Sequence, residues 1–227
     1  LRSYCARVAS AVGAMMCVLM RVRDADALAR ACDLGVAMQL TNIARDVGED
    51  ARAGRIYLPL DWIHAEGLDP QSVLSATQAS PELRRIVKKL LSEAHALYAR
   101  SEVGVAALPL NARTGIYAAR YIYAAIGQAV TRNHYDSITH RGRTNRVQKM
   151  ALLAKSSLRT TASLVMPRSP VLYARPLPEV QFLVDAVAVN QRHAMSWGQG
   201  HTGAFMAAMA ELKRKDHAQA SGVMLAK

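Results

Sequence analysis

The stretch from residue 34 to residue 59, LGVAMQLTNIARDVGEDARAGRIYLP, constrains the fold more than any other part of the chain. Read as a helix that turns by about 100° per residue, it places Gln39, Asn42, Asp46 and Asp50 within an arc of roughly 80°. Gly35 lies at one edge of this polar stripe, where a residue without a side chain lets another group approach the backbone closely. The adjacent arc of the same helix is apolar and consists of Val36, Leu40, Ile43 and Val47.

The spacing of the two carboxylates indicates a metal site. Asp46 and Asp50 are one helical turn apart, where like charges repel by a few tenths of a kcal/mol unless a divalent cation lies between them. Carboxylate and amide oxygens suit Mg²⁺ bridged to a substrate phosphate. The guanidinium fork of Arg matches phosphate oxygens. The expected phosphate partners near this stripe are therefore Arg45, Arg52 and Arg55. The alternative is a solvated helix face whose acids happen to be spaced by one turn.

A second block, YCARVASAVG at residues 4–13, precedes the stripe by one helix length. Together the two blocks resemble the signature segments of the squalene and phytoene synthase family, a Y-C-x-x-V-A-x-x-V-G helix and then Q-x-x-N-x-x-R-D-x-x-x-D followed by R-x-Y-L-P. The second signature is matched by Gln39, Asn42, Arg45, Asp46, Asp50, Arg55, Tyr57, Leu58 and Pro59. The resemblance is to family members of the bacterial type.

The resemblance implies an all-α fold, the isoprenoid synthase helical bundle with a central apolar cavity, incomplete at its N-terminus. Independently, no segment of strand period longer than a few residues is present, and Ala, Leu, Val and Met favour helices. Residues 1–165 are expected to be the C-terminal part of the catalytic domain. Residues 166–227 are expected to form a Pro-containing linker and an amphipathic helical C-terminal extension.

Local signals predict the helix boundaries. The first helix is expected from Ser3 to about Arg21, and the next begins at an Asp24 cap and ends near Asp50. Ser80 and Pro81 predict another helix start. The remaining helices are expected at about 61–66, 81–104, 113–133, 179–193 and 203–215.

The resemblance also assigns the site. Asp46 and Asp50 are expected to bind Mg²⁺, with Mn²⁺ as a possible substitute and Asn42 in the same set. Tyr4 is expected to handle a proton or to stabilise a cation, although a lone Tyr is more commonly a core or rim residue. The other expected substrate-binding residues are Gln39, Asn42, Arg45, Tyr123 and Arg141. His140 occupies a place where the family sometimes has an Arg, so the alignment leaves the assignment of Arg141 open by one residue. The basic run around these residues is also typical of a solvated face.

The reaction implied is the head-to-head condensation of two geranylgeranyl diphosphates to phytoene through a cyclopropyl diphosphate. Squalene or dehydrosqualene formation from farnesyl diphosphate is the alternative within the family. NADPH is not expected, and no G-x-G-x-x-G fingerprint is present. The family also needs a second Asp-rich helix facing the first, and none is found here. We therefore expect residues 1–227 alone to be inactive and poorly soluble.

The formal net charge of +12 and the pI near 10.1 indicate an acidic partner. Aromatic residues make up only 5% of the chain, and no aromatic–basic alternation indicates nucleic-acid binding, so prenyl diphosphate or anionic lipid is favoured. A non-catalytic basic module for membrane surfaces is the alternative outside the enzyme class. Cys5, Cys17 and Cys32 fit a reducing compartment. The expected location is cytoplasmic, peripheral on the inner face of the membrane, and the oligomeric state is not predicted.

Overall fold

The computed structural model describes the backbone of residues 1–194 and the side chains of residues 1–188, and this range contains helices and no strand. Its α-helices are α1 (Arg2–Cys5), α2 (Ala11–Leu19), α3 (Ala25–Arg52), α4 (Leu60–Ala65), α5 (Pro70–Leu74), α6 (Pro81–Glu102), α7 (Leu110–Arg132), α8 (Arg146–Ala162) and α9 (Gln181–Ala194). A π-helical segment, Ala6–Ser10, joins α1 to α2, and 3₁₀ turns occur at Val103–Ala107, Pro170–Tyr173 and Pro178–Val180. No helix of the described part is long and apolar enough to cross a membrane.

The central element is α3, a helix of 28 residues that packs against α2, α6 and α7. It begins where predicted, because the Asp24 side chain accepts a hydrogen bond of 2.8 Å from the backbone N–H of Ala27. The predicted apolar arc is buried, which makes α3 the middle of the hydrophobic core. The predicted close approach at Gly35 is also confirmed, since a Cβ there would lie 2.7 Å from the backbone nitrogen of Ser10.

The predicted helix Ser3–Arg21 is helical from Arg2 to Leu19, but residues 6–10 form a π-turn that was not predicted. This turn lies against Gly35, and the Ser10 hydroxyl donates a hydrogen bond of 2.7 Å to the Cys32 carbonyl of α3. A π-turn inserts an extra residue into the helix. The direction of Tyr4 relative to α2 is therefore set by the contact with α3.

The later helices follow local signals. Ser80 caps α6 through a hydrogen bond of 3.2 Å from the Leu83 N–H, with Pro81 at the first helical position, as predicted. The helix predicted from residue 113 begins three residues earlier, at Leu110, just after Pro109. Both α5 and α8 were missed, although α8 has a capping box between Asn145 and Gln148.

The segment predicted as an extended linker, residues 166–178, differs from that expectation. It contains two 3₁₀ turns and buries Leu172, and Val180 just after it is also buried. The compact unit that holds residues 1–165 continues to Asp185. The second predicted amphipathic piece, residues 203–215, lies outside the described residues.

A buried ion-pair cluster fastens residues 170–175 to the helices. Arg30 and Asp33 of α3 are both fully buried and 2.8 Å apart, and Arg100 of α6 donates a hydrogen bond of 2.7 Å to the same carboxylate. Arg30 also donates a hydrogen bond of 2.7 Å to the carbonyl of Val171, and Arg100 donates one to the carbonyl of Arg175. Burial raises the pKa of Asp33 even though both arginines act to lower it.

Candidate active site

A largely apolar cavity of about 320 Å³ runs along α3. Positions of α3 from Ala27 to Asn42 line it, which corresponds to a length of about 22 Å at 1.5 Å per residue. The other walls include Val8, Val12, Met16, Gly104, Val105, Leu108 and Tyr123. Because Val8 and Val12 remain 42% and 50% exposed, the cavity is open to solvent on the side of α2.

The polar stripe of α3 begins inside this cavity. Gln39, Asn42 and Tyr123 form its polar end, and all three are partly buried. Asp46 follows Asn42 by one helical turn and Asp50 follows by two, so both carboxylates lie beyond the polar end of the cavity. The structure therefore brings the apolar cavity and the charged cluster into line along one helix.

Asp46 is held by two arginines. Arg45 donates from Nε to Oδ1 at 2.8 Å and from Nη2 to Oδ2 at 2.5 Å. Arg141 donates from Nε to Oδ1 at 3.0 Å, and its Nη1 lies 3.0 Å from Oε1 of Glu49. Burial alone would raise the pKa of Asp46, but these hydrogen bonds and positive charges outweigh it and lower the pKa. Asp46 is thus stabilised in its ionised form.

Arg141 reaches Asp46 because the turn before it packs directly on α3. A Cβ at Gly48 would lie 2.7 Å from the carbonyl oxygens of Ser137 and Ile138, so only glycine allows this approach. Asp136 closes the turn by accepting hydrogen bonds of 3.0 Å from the N–H groups of Ile138 and Thr139. Although burial acts to raise the pKa of Asp136, these bonds lower it. The turn therefore holds a fixed position beside the carboxylates.

Asp50 has a different environment. Its ion-pair partner in the described part of the chain is Arg55, whose Nη2 lies 3.6 Å from Oδ1. Partial burial raises the pKa of Asp50, and the negative charge of Asp46 raises it further. Asp50 therefore carries negative charge that the surrounding arginines do not fully balance.

Tyr4 lies at the edge of this cluster. Its ring stacks on the ring of Tyr57, with centroids 5.5 Å apart, and its side chain remains 40% exposed. Desolvation raises the pKa of Tyr4, with smaller contributions from Tyr57 and from Asp50. The first signature block and the R-x-Y-L-P segment thus meet through these two tyrosines beside the carboxylates.

The donor set fits Mg²⁺ only together with a ligand. No group of three or more His, Cys, Asp or Glu side chains in the described part could hold a metal ion by itself. Mg²⁺ in phosphate-binding sites uses one or two carboxylates, several waters and the substrate phosphates. Asp46 and Asp50 supply such a pair, and the unbalanced charge at Asp50 is the kind that a divalent cation relieves.

Two residues of the site were not singled out from the sequence. Glu49 adds a third carboxylate and binds Arg141. Gly48 permits the packing that positions Arg141, and a glycine inside a long helix is the signal that could have identified it. Arg45, predicted from the sequence to bind diphosphate, lies in the cluster and binds Asp46 in this structure.

Comparison with known proteins identifies the family. The family model described as squalene/phytoene synthase matches residues 1–151, which include both signature blocks and Arg141. The chain belongs to the squalene/phytoene synthase family. It is 55% identical over 192 residues to a phytoene synthase of Rhodobacter capsulatus, a match that covers 85% of this chain and 57% of the relative. It is 53% identical over 213 residues to a phytoene synthase of Cereibacter sphaeroides, covering 94% and 59%.

The fold prediction is confirmed by a solved structure. A crystal structure of a dehydrosqualene synthase in complex with ligand superposes with a TM-score of 0.63 at 31% sequence identity. The match covers 71% of this chain and 56% of the dehydrosqualene synthase. The chain thus has the all-α isoprenoid synthase fold of the family, and it spans less than three fifths of the length of the relatives described above.

Proposed function

We propose that this chain carries the diphosphate-binding half of an enzyme that condenses two geranylgeranyl diphosphates head to head to form phytoene. The observation that carries the proposal is the alignment of an apolar cavity of about 320 Å³ with Asp46, Asp50, Arg45 and Arg141 at one end. A prenyl diphosphate has the same division into a long apolar chain and a highly charged head. The phytoene synthase relatives, which are more than half identical, support this choice.

The first step is heterolysis of the carbon–oxygen bond of one substrate, which gives diphosphate and an allylic cation. The double bond of the second substrate attacks the cation, and loss of a proton closes the cyclopropyl diphosphate. A second ionisation, rearrangement and proton loss give phytoene. Arg45 and Arg141 would bind the leaving diphosphate, and Asp46 and Asp50 would hold Mg²⁺, which when bound neutralises diphosphate charge. Mn²⁺ could replace it, and no step requires NADPH.

The remaining residues bind and protect the reacting chains. Gln39, Asn42 and Tyr123 would contact the substrate where the chain enters the apolar cavity. Tyr4, beside Tyr57 and near Asp50, would relay a proton through its hydroxyl or stabilise positive charge with its ring. Once the open side along α2 is covered, the apolar walls would exclude water, which would otherwise capture the cation.

Cavity length supports a geranylgeranyl chain. The lining of α3 from Ala27 to Asn42 extends for about 22 Å. At roughly 1.3 Å of advance per carbon in an extended chain, a geranylgeranyl group spans about 20 Å and a farnesyl group about 15 Å. Farnesyl diphosphate, with squalene or dehydrosqualene as product, remains the second candidate, because a dehydrosqualene synthase shares the fold.

The test is a product assay with each diphosphate, with and without NADPH. We propose that residues 1–227 alone make no phytoene and are poorly soluble, because Val8, Val12 and Met16 leave the cavity wall open to water. The assay therefore compares the chain alone with a chimera that adds the part of the R. capsulatus relative that this chain does not match. Phytoene from geranylgeranyl diphosphate in the chimera supports the proposal. A product from farnesyl diphosphate alone would replace it with the second candidate.

We also propose that the enzyme works in the cytoplasm, at the inner surface of the membrane that supplies its apolar substrate and receives its product. The net charge of +12 favours an anionic surface. Cys5, Cys17 and Cys32 are free and buried, and burial raises the pKa of Cys5 and Cys17 to about 11, so these thiols stay neutral. Unpaired buried cysteines suit a reducing compartment.

A further inference from the structure

Helix α8 packs with the opposite polarity to that of an ordinary surface helix. Its buried positions are Ser156 and Thr160, and the Thr114 hydroxyl of α7 donates a hydrogen bond of 3.0 Å to the Thr160 hydroxyl. Arg159 on the same side pairs with Glu102 at 3.1 Å. A surface helix of a soluble protein normally buries its apolar stripe and exposes its polar face. Here the polar face is the one that packs on the protein.

The outward face of α8 is apolar. Val147, Met150 and Leu158 are 78%, 66% and 73% exposed and fall, with two alanines between them, within an arc of about 100°. Leu164, Val165 and Met166, just past the end of the helix, are also exposed. The α8 stripe is defined by Val147, Met150, Ala151, Ala154 and Leu158. The stripe contributes nothing to the lining of the cavity, unlike the exposed apolar residues of α2.

The charges around the α8 stripe have one sign. No Asp or Glu occurs from residue 137 to residue 178, whereas this stretch contains Arg141, Arg143, Arg146, Lys149, Lys155, Arg159, Arg168 and Arg175. Within the described residues no ion pair engages Arg143, Arg146, Lys149 or Arg168. Of these, Arg146 borders the apolar face of α8, about 40° from Met150 around the helix. A helix with an apolar outward face and an unpaired basic side chain at its border has the composition of an interfacial membrane helix.

We propose that the α8 stripe is the surface by which this protein docks on an anionic lipid bilayer. The apolar side chains enter the boundary between headgroups and acyl chains, while Arg146, which borders the stripe, contacts acidic headgroups. The proposal specifies the surface for the membrane association proposed above and rests on that part of the proposed function. It does not depend on the reaction, because vesicle binding is measured without substrate.

The apolar part of the proposal is tested by flotation with vesicles of phosphatidylcholine mixed with phosphatidylglycerol, in which aggregated protein does not rise and only vesicle-bound protein is counted. Leu158→Glu should lower the partition coefficient about tenfold or more, because it replaces an inserted leucine by a charge. The matched control is Leu60→Glu on α4, where a leucine with 54% exposure lies away from the stripe. That variant should bind within about twofold of the wild type. Unchanged circular dichroism and melting temperature establish that both variants are folded.

The electrostatic part uses two variants of equal net charge. Arg146→Glu should weaken binding to the mixed vesicles several-fold more than Lys88→Glu on α6, and high salt should remove the difference. Pure phosphatidylcholine vesicles should bind the wild type more weakly than the mixed vesicles. Equal binding by Leu158→Glu and Leu60→Glu, or no vesicle binding by the wild type, would overturn the proposal. Loss of self-association in Leu158→Glu with unchanged vesicle binding would instead assign the stripe to a contact between copies.

Discussion

Filling the middle of the cavity should change which prenyl chain the protein binds. Ala31 lies eleven positions before Asn42 on α3, about 16 Å from the polar end at 1.5 Å per residue. Its backbone faces Gly13 of α2, where a Cβ would lie 2.9 Å from the Ala31 carbonyl oxygen. Because Ala31 also lines the cavity, a phenylalanine at this position should occupy part of it. The remaining length accommodates a farnesyl chain of about 15 Å but not a geranylgeranyl chain.

The expected size of the effect follows from burial. The five additional carbons of the longer chain contribute at most about 4 kcal/mol at roughly 0.8 kcal/mol per methylene, which corresponds to about a thousandfold in affinity. Because the cavity is open along α2, we expect the wild type to prefer the geranylgeranyl analogue by at least about tenfold. Ala31→Phe should abolish or reverse this preference, and Ala31→Leu should give an intermediate result.

The assay is calorimetric binding of non-hydrolysable geranylgeranyl and farnesyl thiolodiphosphates in Mg²⁺, which requires no turnover. Ala96→Phe, at an exposed position of α6, is the matched control and should leave the preference unchanged. Melting curves show whether each variant is folded. If folded Ala31→Phe discriminates between the two chains as the wild type does, the cavity along α3 does not hold the prenyl chain, and the argument from its length is wrong.

Three further predictions test the charged end and the helix packing. Arg141→Lys should weaken pyrophosphate binding about tenfold, because an ammonium cannot reproduce the guanidinium fork, whereas Arg143→Lys should not. Equal affinities of the two variants in calorimetry would show that Arg141 pairs with Asp46 and Glu49 without binding diphosphate. Gly35→Ala should lower the melting temperature, because the added Cβ clashes with the Ser10 backbone at a cost of about 1–3 kcal/mol. The control Gly115→Ala places its Cβ in open space and should raise the melting temperature slightly. An unchanged melting temperature for Gly35→Ala would contradict the close packing of α3 on the Ala6–Ser10 turn. The pKa of Asp50 is raised in the folded protein, so the free energy of unfolding falls as the pH rises through that pKa and Asp50 ionises. Asp50→Asn should therefore be more stable than the wild type at neutral pH in Mg²⁺-free buffer, by a few tenths of a kcal/mol, and should melt at a higher temperature. This difference in stability should vanish below the ordinary pKa of Asp, where the wild-type carboxyl is protonated as well. A lower melting temperature for Asp50→Asn would contradict the unbalanced charge.

The parts of the fold that local chemistry determines were predictable. Asp24 and Ser80 cap their helices because a short oxygen-bearing side chain at that position can accept a backbone N–H. The polar stripe and the buried arc of α3 follow from the period of the helix, since every turn returns to the same face. The start of α7 was misplaced by three residues, because Asn111 was taken to separate the helices and instead lies inside the first turn.

Features that depend on contacts distant in sequence were not predictable. The π-turn at Ala6–Ser10 accompanies the close approach to Gly35, and the sequence of the first block alone favours an ordinary helix. The ion pair of Arg30 and Asp33 has normal helical spacing, so nothing local distinguishes it from a solvated pair. Helix α8 was missed because its polar face is buried against α7 and its apolar face is exposed, the reverse of the usual pattern. The start of this stretch was therefore interpreted as a basic run.

The two carboxylates of the stripe, although one turn apart, are held in different electrostatic states, and this difference predicts how ligands bind. Asp46 is balanced by Arg45 and Arg141, whereas the charge of Asp50 is only partly balanced by Arg55. Diphosphate alone must draw the two arginines away from Asp46 and leave that carboxylate unpaired, and Mg²⁺ alone must compete with them for it. Each ligand removes the cost of the other, so diphosphate and Mg²⁺ should bind cooperatively, by about tenfold or more in each other's affinity.

Calorimetric titration of pyrophosphate with and without Mg²⁺, in wild type and in Asp46→Asn, measures this coupling. Because pyrophosphate and Mg²⁺ also associate in free solution, the decisive quantity is the part of the coupling that Asp46→Asn removes, and equal coupling in the two proteins would refute the exchange of partners at Asp46.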